Sequence, residues 1–186
     1  PLTERVLRLG PVPDRMDAML GALEQAEGAD VLVTSGGASV GDHDLVRPAL
    51  ARWGAEIAFW RIALRPGKPL LVARRGATLI LGLPGNPVSS YVTGMLFLLP
   101  LLRQLAGAAR PLPEPIERPV LAALGPGANR AAFLRATSLA DGVMPLAQQD
   151  SSALATLALA DALILRPIDA PPAPAGALVP VFPLPV

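Results

Sequence analysis

Three short segments of the sequence combine glycine or proline turns with polar and charged side chains that suit an anion. Residues 35–41 supply three glycines and two hydroxyls, so backbone N–H groups can converge on one anion without interference from Cβ atoms. Residues 65–69 place Arg65 and Lys68 on a turn that two prolines stiffen. Residues 84–87 form a turn at a predicted helix start, where unpaired N–H groups and the helix dipole favour negative charge. Together the segments predict a site for phosphate or another oxyanion.

Each of these turns also has a plain interpretation as a connection between a strand and the next element. For one turn alone, the two interpretations are about equally good. Ligands in open α/β sheets bind beyond the carboxyl ends of the strands, and all three turns follow predicted strands of one domain. That is more anion-binding chemistry than connectivity requires, so we favour the binding interpretation.

Aspartates beside the turns are candidate metal ligands. Asp44 follows the glycine turn, and Asp14 follows the preceding predicted strand. Carboxylates near bound phosphates repel them unless a divalent cation lies between, and Mg²⁺ is the usual ion held by one or two carboxylates together with phosphate oxygens. Asp14 and Asp42 equally suit a simple helix N-cap, whereas Asp44 is less needed for capping. The pattern therefore predicts a Mg²⁺ site to which Asp44 contributes.

Composition excludes several other kinds of site. The 186 residues contain no cysteine and one histidine, which leaves no thiolate metal site, histidine cluster, disulfide or cysteine nucleophile. The 16 Lys and Arg residues against 15 Asp and Glu provide no broad basic face for nucleic acid. The apolar residues 88–102 are shorter than a membrane span of about 20 residues, and the chain does not begin with a secretion signal. We therefore expect a cytoplasmic protein that binds neither nucleic acid nor membranes.

Short apolar strands alternate with helix-length segments up to about residue 107, which is typical of α/β domains with a mostly parallel sheet and flanking helices. Strands are predicted at residues 6–9, 31–34, 57–64, 70–73 and 78–81. Helices are predicted at residues 14–26, at 42–53 and from 87 through 105. Asn86 and Pro87 define the start of the last helix, because the asparagine oxygen accepts an orphan N–H and proline has none to lose.

The chain beyond residue 107 has a different character. Residues 108–117 are rich in proline and small residues, and they predict a linker. Short β-rich runs separated by turns follow at residues 119–124, 131–139, 143–146, 162–165 and 178–182. The predicted organisation is an α/β domain over residues 1–107, the linker over 108–117, and a small all-β domain over 118–186.

Three motifs resemble those of the molybdopterin molybdotransferases, the MoeA and gephyrin E-domain family. They are Asp-Val-Leu-Val-Thr-Ser-Gly-Gly-Ala-Ser-Val-Gly-Asp-His-Asp over residues 30–44, Arg-Pro-Gly-Lys-Pro over 65–69, and Leu-Pro-Gly-Asn-Pro-Val-Ser over 83–89. They occur in the family's order and spacing, and the resemblance extends to residues 149–152 and 162–165. It implies a MogA-like molybdopterin-binding α/β domain, N-terminally truncated, followed by the family's small C-terminal β domain.

The resemblance implies an enzyme of molybdenum cofactor biosynthesis that hydrolyses adenylylated molybdopterin in the presence of Mg²⁺, inserts molybdate and releases AMP. Asp14 and Asp44 would be its catalytic carboxylates near the metal. The glycine turn would hold the phosphate region of the pterin, and the second turn, with the β domain, would hold molybdate. The predicted binding residues are Ser35, Gly36, Gly37, Ser39, Gly41, Arg61, Arg65, Lys68, Pro69, Pro84, Gly85, Asn86, Pro87, Arg135 and Ser151.

The sequence departs from the family pattern at Arg61 and Arg65, where many members carry lysine, so the charge is kept and its geometry changes. The resemblance also implies a full-length parent with two further N-terminal domains and a homodimer in which the neighbour closes the site. A molybdopterin adenylyltransferase is the expected protein partner. We expect the chain alone to hold much of the site and to lack the rest.

Other functions remain as alternatives at this point. The same domain type occurs in molybdopterin adenylyltransferases and CinA-like proteins, although the β domain beyond the linker argues against them. Gephyrin relatives also clamp peptides at the groove between the two domains, which would make the chain a scaffold or binding module. A plain sugar or nucleotide binder is the third alternative.

Overall fold

The computed structural model describes residues 2–36 and 45–185. Its strands are β1 (Val31–Ser35), β2 (Glu56–Phe59), β3 (Leu64–Arg65), β4 (Leu71–Arg75), β5 (Thr78–Leu83), β6 (Ile116–Pro119), β7 (Ala131–Leu139), β8 (Gly142–Pro145), β9 (Ala162–Arg166) and β10 (Leu178–Pro183). Its helices are α1 (Met16–Gln25), α2 (Val46–Arg52), α3 (Pro87–Thr93), α4 (Leu99–Leu105) and α5 (Leu154–Leu159), with a π-helical segment (Gly94–Leu98) between α3 and α4.

The first sheet has four strands in the order β1-β5-β4-β2. Only the β1–β5 pair is parallel, and the β5–β4 and β4–β2 pairs are antiparallel. The predicted α/β class is confirmed, but the sheet is mixed rather than mostly parallel. The reason lies in Gly76 and Ala77, the two residues that join β4 to β5, because a connection this short cannot cross over to a parallel strand.

The predicted first strand and helix start differ from the structure. Residues 6–9 form no strand, and Val6 and Leu7 are exposed. Helix α1 begins after an extended Arg15 as N-cap, with no side-chain capping bond, so Asp14 is not the cap. A strand needs a hydrogen-bonding partner as well as apolar residues, and no described strand pairs with this segment. Helix α1 nevertheless packs against α2 over one side of the sheet.

The apolar core of this part lies between the sheet and helices α1 and α2. Leu50, Leu71 and Ile80 are fully buried there, together with Leu23 and Trp53. Each buried leucine or isoleucine contributes about 2–5 kcal/mol by the usual cost of truncation to alanine. This core holds β1 and β5 rigidly, and these are the two strands that carry glycine turns at their carboxyl ends.

The second sheet follows the order β3-β7-β9-β10-β6, with β8 paired to the free part of β7. Its strand β3 comes from the first part of the chain, because the predicted strand over residues 57–64 is split in two. The chain leaves the first sheet after Phe59, beyond a register shift in the β2–β4 ladder, and joins the second sheet at Leu64, which pairs in parallel with Ala131. The turn at residues 65–69 therefore leads from β3 of the second sheet back to β4 of the first.

The β domain keeps most of its predicted strands and adds two features. Strand β6 begins at Ile116, inside the predicted linker, and helix α5 occupies a segment that no strand was expected to fill. One apolar cluster, including Val120, Val143 and Val179, lies within this domain. A second cluster packs Val92 of α3 and Leu64 of β3 against residues of β7, β9 and β10, so it joins the two parts of the chain.

The helical run from Pro87 to Leu105 starts as predicted. The Asn86 side chain accepts a hydrogen bond of 3.0 Å from Ser89 N–H, and Pro87 takes the first helical position. Pro100 has no N–H to donate to the preceding turn, and the helix widens into π geometry just before it. By length and composition alone, this one helical run among the described residues could cross a membrane, and a third of its apolar window is buried within the fold. Its buried side packs on the cluster around β3.

Candidate functional site

The first and third predicted turns lie side by side. Because β1 and β5 are parallel neighbours, Ser35 pairs in register with Leu83, and both strands end at the same edge of the sheet. Gly36 continues from β1 with φ of 86° and donates its N–H to Leu83 O at 3.1 Å. A Cβ atom on Gly85 would lie 3.3 Å from the Gly36 Cα. The two backbones are therefore in direct contact, and any larger residue at Gly85 would push them apart.

The helix start lies beside this contact, and most of its N–H groups already have partners. Pro87 has no N–H, the Asn86 side chain accepts the Ser89 N–H, and Asn86 O accepts the Ser90 N–H at 2.8 Å. Val88, which would supply the remaining N–H of the first turn, is fully buried. What this turn offers an anion is therefore the positive end of the helix dipole, beside the exposed Gly85.

The second turn is held against helix α3 by Gly67. This residue has φ of 115°, and a Cβ atom there would clash with the Thr93 methyl group. Thr93 is fully buried and its hydroxyl donates to Ser89 O at 2.7 Å. Ile62 N–H donates to Lys68 O at 3.1 Å and closes the turn. The packing leaves Arg65 and Lys68 exposed, with Pro69 half-buried beside them.

Arg135 of β7 is a buried cation next to this turn. Its side chain is 1% exposed, and its Nη2 donates to Gln148 O at 3.0 Å and Asp150 O at 2.9 Å, while its Nε is buried without a hydrogen-bond partner. Burial lowers the pKa of the Arg135 guanidinium, the Asp150 carboxylate raises it, and the positive charge of Arg65 lowers it. Arg65 and Arg135 therefore lie within electrostatic reach of each other, one from each part of the chain.

Gln149 fixes the main chain of Arg135 and was missed as a site residue. Its Oε1 accepts the Arg135 N–H at 3.0 Å, and its Nε2 donates to Arg135 O at 2.8 Å and to Leu146 O at 2.7 Å. A lone glutamine in a polar run gives no sequence signal for such a role. Only the resemblance over residues 149–152 pointed to this segment.

Asp150 and Ser151 come directly after Gln149 in the same loop beside Arg135. Asp150 accepts hydrogen bonds from Ser152 N–H at 2.8 Å and Ser152 Oγ at 2.7 Å. These bonds lower the pKa of the Asp150 carboxyl, burial opposes them, and the charges of Arg135 and Arg65 add smaller lowering effects. Ser151 is half-buried in the same loop. The predicted Arg135 and Ser151 are thus brought into one neighbourhood with Arg65.

The remaining predicted residues fall in other places. Gly37, Ser39, Gly41 and Asp44 lie outside the described residues, as does Asp42. Arg61 is exposed, with its Cζ 4.0 Å from the centroid of the Trp60 ring. Within residues 2–36 and 45–185, no three histidine, cysteine or carboxylate side chains come together as a metal site.

A separate apolar pocket of about 510 Å³ lies between α3, α5 and residues 184–185. It shares no lining residue with the predicted binding set. Its lining consists of Tyr91, Leu154, Leu157, Ala158, Leu159, Ala160, Asp161, Leu184 and Pro185.

Two family models match the chain. A probable molybdopterin binding domain matches residues 2–104, and the MoeA C-terminal region, domain IV, matches residues 118–184. A molybdopterin molybdenumtransferase from Nostoc sp. is 43% identical over 105 residues, which is 54% of this chain and 24% of the relative. Gephyrin from Dictyostelium discoideum is 36% identical over 116 residues, which is 53% of this chain and 16% of the relative.

A solved structure extends the likeness to the whole fold. The molybdopterin biosynthesis MoeA protein from Pyrococcus horikosii superposes with a TM-score of 0.76 at 25% identity, covering 94% of this chain and 42% of that one. The chain thus spans only about a quarter of the Nostoc relative and less than half of this archaeal protein. Since one family model covers more than half of the chain and a second covers most of the rest, the chain belongs to the MoeA and gephyrin family of molybdenum cofactor biosynthesis proteins.

Proposed function

We propose that the protein containing this chain is a molybdopterin molybdotransferase, which inserts molybdate into adenylylated molybdopterin and releases AMP. The observation that carries the proposal is the pairing of Arg65 on β3 with Ala132 on β7, three residues before the buried Arg135. A dianion that contacts two neighbouring cations is attracted by both charges. Molybdate is such a dianion, and Lys68 and Ser151 would supply further donors around it.

The phosphate of the pterin would occupy the edge where β1 and β5 end. The contact between Gly36 and Gly85 excludes a side chain at Gly85, and the first turn of α3 faces the same edge. Ser35 and Asn86 flank this contact, and we assign Gly37, Ser39 and Gly41 to the same role from the sequence motif. Fixed donors around phosphoryl oxygens stabilise the charge that develops as the adenylate is hydrolysed.

Mg²⁺ remains part of the proposal through Asp44 and Asp14. Asp14 is exposed just before α1, and no group of three or more metal-ligating side chains occurs among the described residues. We assign one or two carboxylates to the ion, together with phosphate oxygens of the substrate. When bound, the ion would spread the negative charge of the phosphates.

The proposal has consequences for assembly and location. An α/β domain over residues 1–107 would bind the pterin phosphate, and a β domain over residues 118–186 would supply one wall of the molybdate pocket. We propose a cytoplasmic enzyme that works as a homodimer in its full-length form and receives its substrate from a molybdopterin adenylyltransferase.

A chimaera tests this proposal. Residues 2–185 replace the matching part of the Nostoc relative, and AMP release from adenylylated molybdopterin is followed with and without molybdate and Mg²⁺. We expect release only when both are present, and a fall of at least about tenfold for Lys68→Gln, which removes a charge-assisted donor. Asp44→Asn in the same chimaera should abolish release. Normal, molybdate-independent release by both variants would contradict the proposed function.

The adenylyltransferase and CinA-like alternatives are disfavoured by the match of residues 118–184 to the MoeA C-terminal region. The scaffold alternative has one observation in its favour, the apolar pocket between α3 and α5. The scaffold alternative predicts a protein that binds peptides at Tyr91 and Leu157 and releases no AMP. A Leu157→Glu chimaera separates the two roles, because AMP release should persist if the pocket has no part in catalysis.

A further inference from the structure

Thr93 of α3 contacts the turn at residues 65–69 and the start of its own helix. Its side chain is fully buried, and its methyl group lies so close to the Gly67 backbone that a Cβ atom on that glycine would clash with it. The same Cβ atom would lie 3.4 Å from Leu64 Cδ2 and 3.9 Å from Ser89 O. The turn is therefore packed directly on α3.

The Thr93 hydroxyl ties this contact to the helix start. It donates to Ser89 O at 2.7 Å and to Ser90 O at 3.2 Å, which holds the side chain in one orientation. Ser89 and Ser90 in turn donate their N–H groups to Asn86, the first to its side chain at 3.0 Å and the second to its carbonyl at 2.8 Å. A continuous set of contacts therefore runs from the turn at residues 65–69 through Thr93 to Asn86.

The packing around Thr93 leaves the turn little room to move. Val92, the preceding residue, is fully buried and lies with Leu64 in the apolar cluster that joins the two parts of the chain. Leu64 directly precedes Arg65, so the first cation of the turn is anchored on the same helix. Close-packed side chains transmit a displacement because they have few voids to move into. A change at Thr93 is therefore expected to move the turn relative to the helix start.

We infer that Thr93 is a positioning residue, which sets the separation between the turn at residues 65–69 and the turn at residues 84–87. Because Thr93 is fully buried, it acts through these turns and does not touch substrate. Its consequence for catalysis rests on the proposed function, in which the separation of the turns sets where molybdate lies relative to the bound pterin. A misplacement of about 1 Å can lower a rate about a hundredfold. The mechanical link itself does not depend on that function.

Two substitutions separate position from stability in the chimaera with the Nostoc relative. Thr93→Ser removes the methyl group that meets Gly67 and keeps the hydroxyl, whereas Thr93→Val keeps the methyl group and loses the hydrogen bond to Ser89 O. We expect Thr93→Ser to lower kcat for molybdate-dependent AMP release about tenfold, with little change in the KM for molybdate. Thr93→Val should retain most of the wild-type kcat, although the lost hydrogen bond lowers its melting temperature.

Thr78→Ser is the matched control for the loss of a methyl group. Thr78 is also buried, and its hydroxyl donates to Ala29 O at 2.7 Å, but it begins β5, whereas the site lies beyond the other end of this strand. The variant should lose stability like Thr93→Ser and keep the wild-type kcat. If kcat instead follows the melting temperature in all three variants, Thr93 only stabilises the fold, and the inference is wrong.

Amide hydrogen exchange tests the link between the turns without any substrate. In the 186-residue chain, Gly67→Ala should push on Thr93 and raise the exchange rate of the Ser89 N–H severalfold. Adding Thr93→Ser should reverse much of this increase, because it removes the opposing methyl group. Gly127→Ala is the control, since a Cβ atom there would lie 2.7 Å from Pro167 O and disturb a loop contact of the β domain instead.

The two experiments can fail separately. A Ser89 exchange rate that is equal in Gly67→Ala and Gly127→Ala, or that Thr93→Ser does not bring back, would overturn the inference whatever the enzyme does. If the wild-type chimaera releases no AMP, the proposed function fails, and the exchange rates still decide whether Thr93 links the two turns.

Discussion

Gly36 and Gly85 approach so closely that a Cβ atom on Gly85 would lie 3.3 Å from the Gly36 Cα. The two glycines end neighbouring parallel strands, and their contact brings the glycine turn and the helix start to one edge of the sheet. The absence of side chains at both positions lets the two backbones meet. This contact is a structural reason for glycine at both ends of the predicted phosphate site.

Gly36→Ala is expected to weaken phosphate binding and to lower stability by about 1–2 kcal/mol, the usual cost of placing a side chain in left-handed backbone. Gly28→Ala is the matched control, because Gly28 has φ of 85° and open space around its Cα. Both variants should lose similar thermal stability, while only Gly36→Ala should lose affinity for inorganic phosphate in calorimetry. Equal phosphate affinity in the two variants would show that the turn at Gly36 does not face the anion.

Gly67→Ala should disturb the turn that carries Arg65 and Lys68. The added methyl meets the Thr93 methyl group, and φ of 115° disfavours any side chain, so we expect a loss of about 2–4 kcal/mol in urea unfolding. Thr93→Ser removes the opposing methyl and keeps the hydroxyl that donates to Ser89 O. In a double-mutant cycle, Thr93→Ser should recover part of the loss. Strictly additive effects would mean that the two residues do not press on each other.

The sequence predicts local elements better than the pairing between them. Strand β7 and the Asn86 cap agree with the pattern because alternation, capping oxygen and proline act within a few residues. The run 57–64 reads as one apolar strand, yet it divides because Leu64 finds its partner in Ala131, far along the chain. The predicted parallel direction of strands β4 and β5 was also wrong. Strand direction depends on the short connection between β4 and β5 and not on apolar content.

The candidate site shows the same division. Glycine and proline identify the turns in the sequence, because the backbone geometry of a turn requires these residue types. The paired cations stand next to them in the same short motifs. Gln149 has no such mark, since its side chain bridges the N–H and C=O of Arg135 on β7. The sequence predicts only a packing role for Trp60, and the structure shows in addition that the Arg47 guanidinium lies over the Trp60 ring.

Gln149→Ala should cost about 1–3 kcal/mol of folding free energy, because it removes three hydrogen bonds and leaves buried groups of Arg135 poorly paired. Gln148→Ala is the control, since the Gln148 side chain is exposed and only its carbonyl contacts Arg135. Thermal unfolding and molybdate dialysis of both variants provide the measurement. We expect Gln149→Ala to lose both stability and molybdate affinity, and Gln148→Ala to lose neither.

Acid should reveal the ionised state of Asp150. Its pKa in the folded chain lies below the ordinary 3.8, chiefly through hydrogen bonds from Ser152. A carboxyl group whose pKa is lower in the folded chain than in the unfolded chain stabilises the fold fully when the pH is above the unfolded-chain pKa. This contribution is lost as the pH falls through the folded-chain pKa. The Asp150 carboxyl should therefore titrate below 3.8 in carboxyl NMR, and Ser152→Ala should shift the midpoint upward. A midpoint that is unchanged by Ser152→Ala would contradict the assigned cause.

Arg65→Gln should affect the free protein little and the molybdate-bound protein more. Removing the Arg65 charge relieves its repulsion of Arg135 and also removes its attraction for the Asp150 carboxylate, so without anion the stability should change by no more than about 0.5 kcal/mol, as is usual for exposed charges. The same change removes a donor for molybdate, and bound ligand stabilises a protein in proportion to the logarithm of its concentration over Kd. The increase in melting temperature at a fixed molybdate concentration should therefore shrink. Arg52→Gln, an exposed arginine on α2, should keep the full molybdate effect. A different result would contradict the proposed role. If Arg65→Gln lowers stability without molybdate and still shows the full molybdate-dependent increase in melting temperature, then Arg65 stabilises the fold and does not bind the anion together with Arg135.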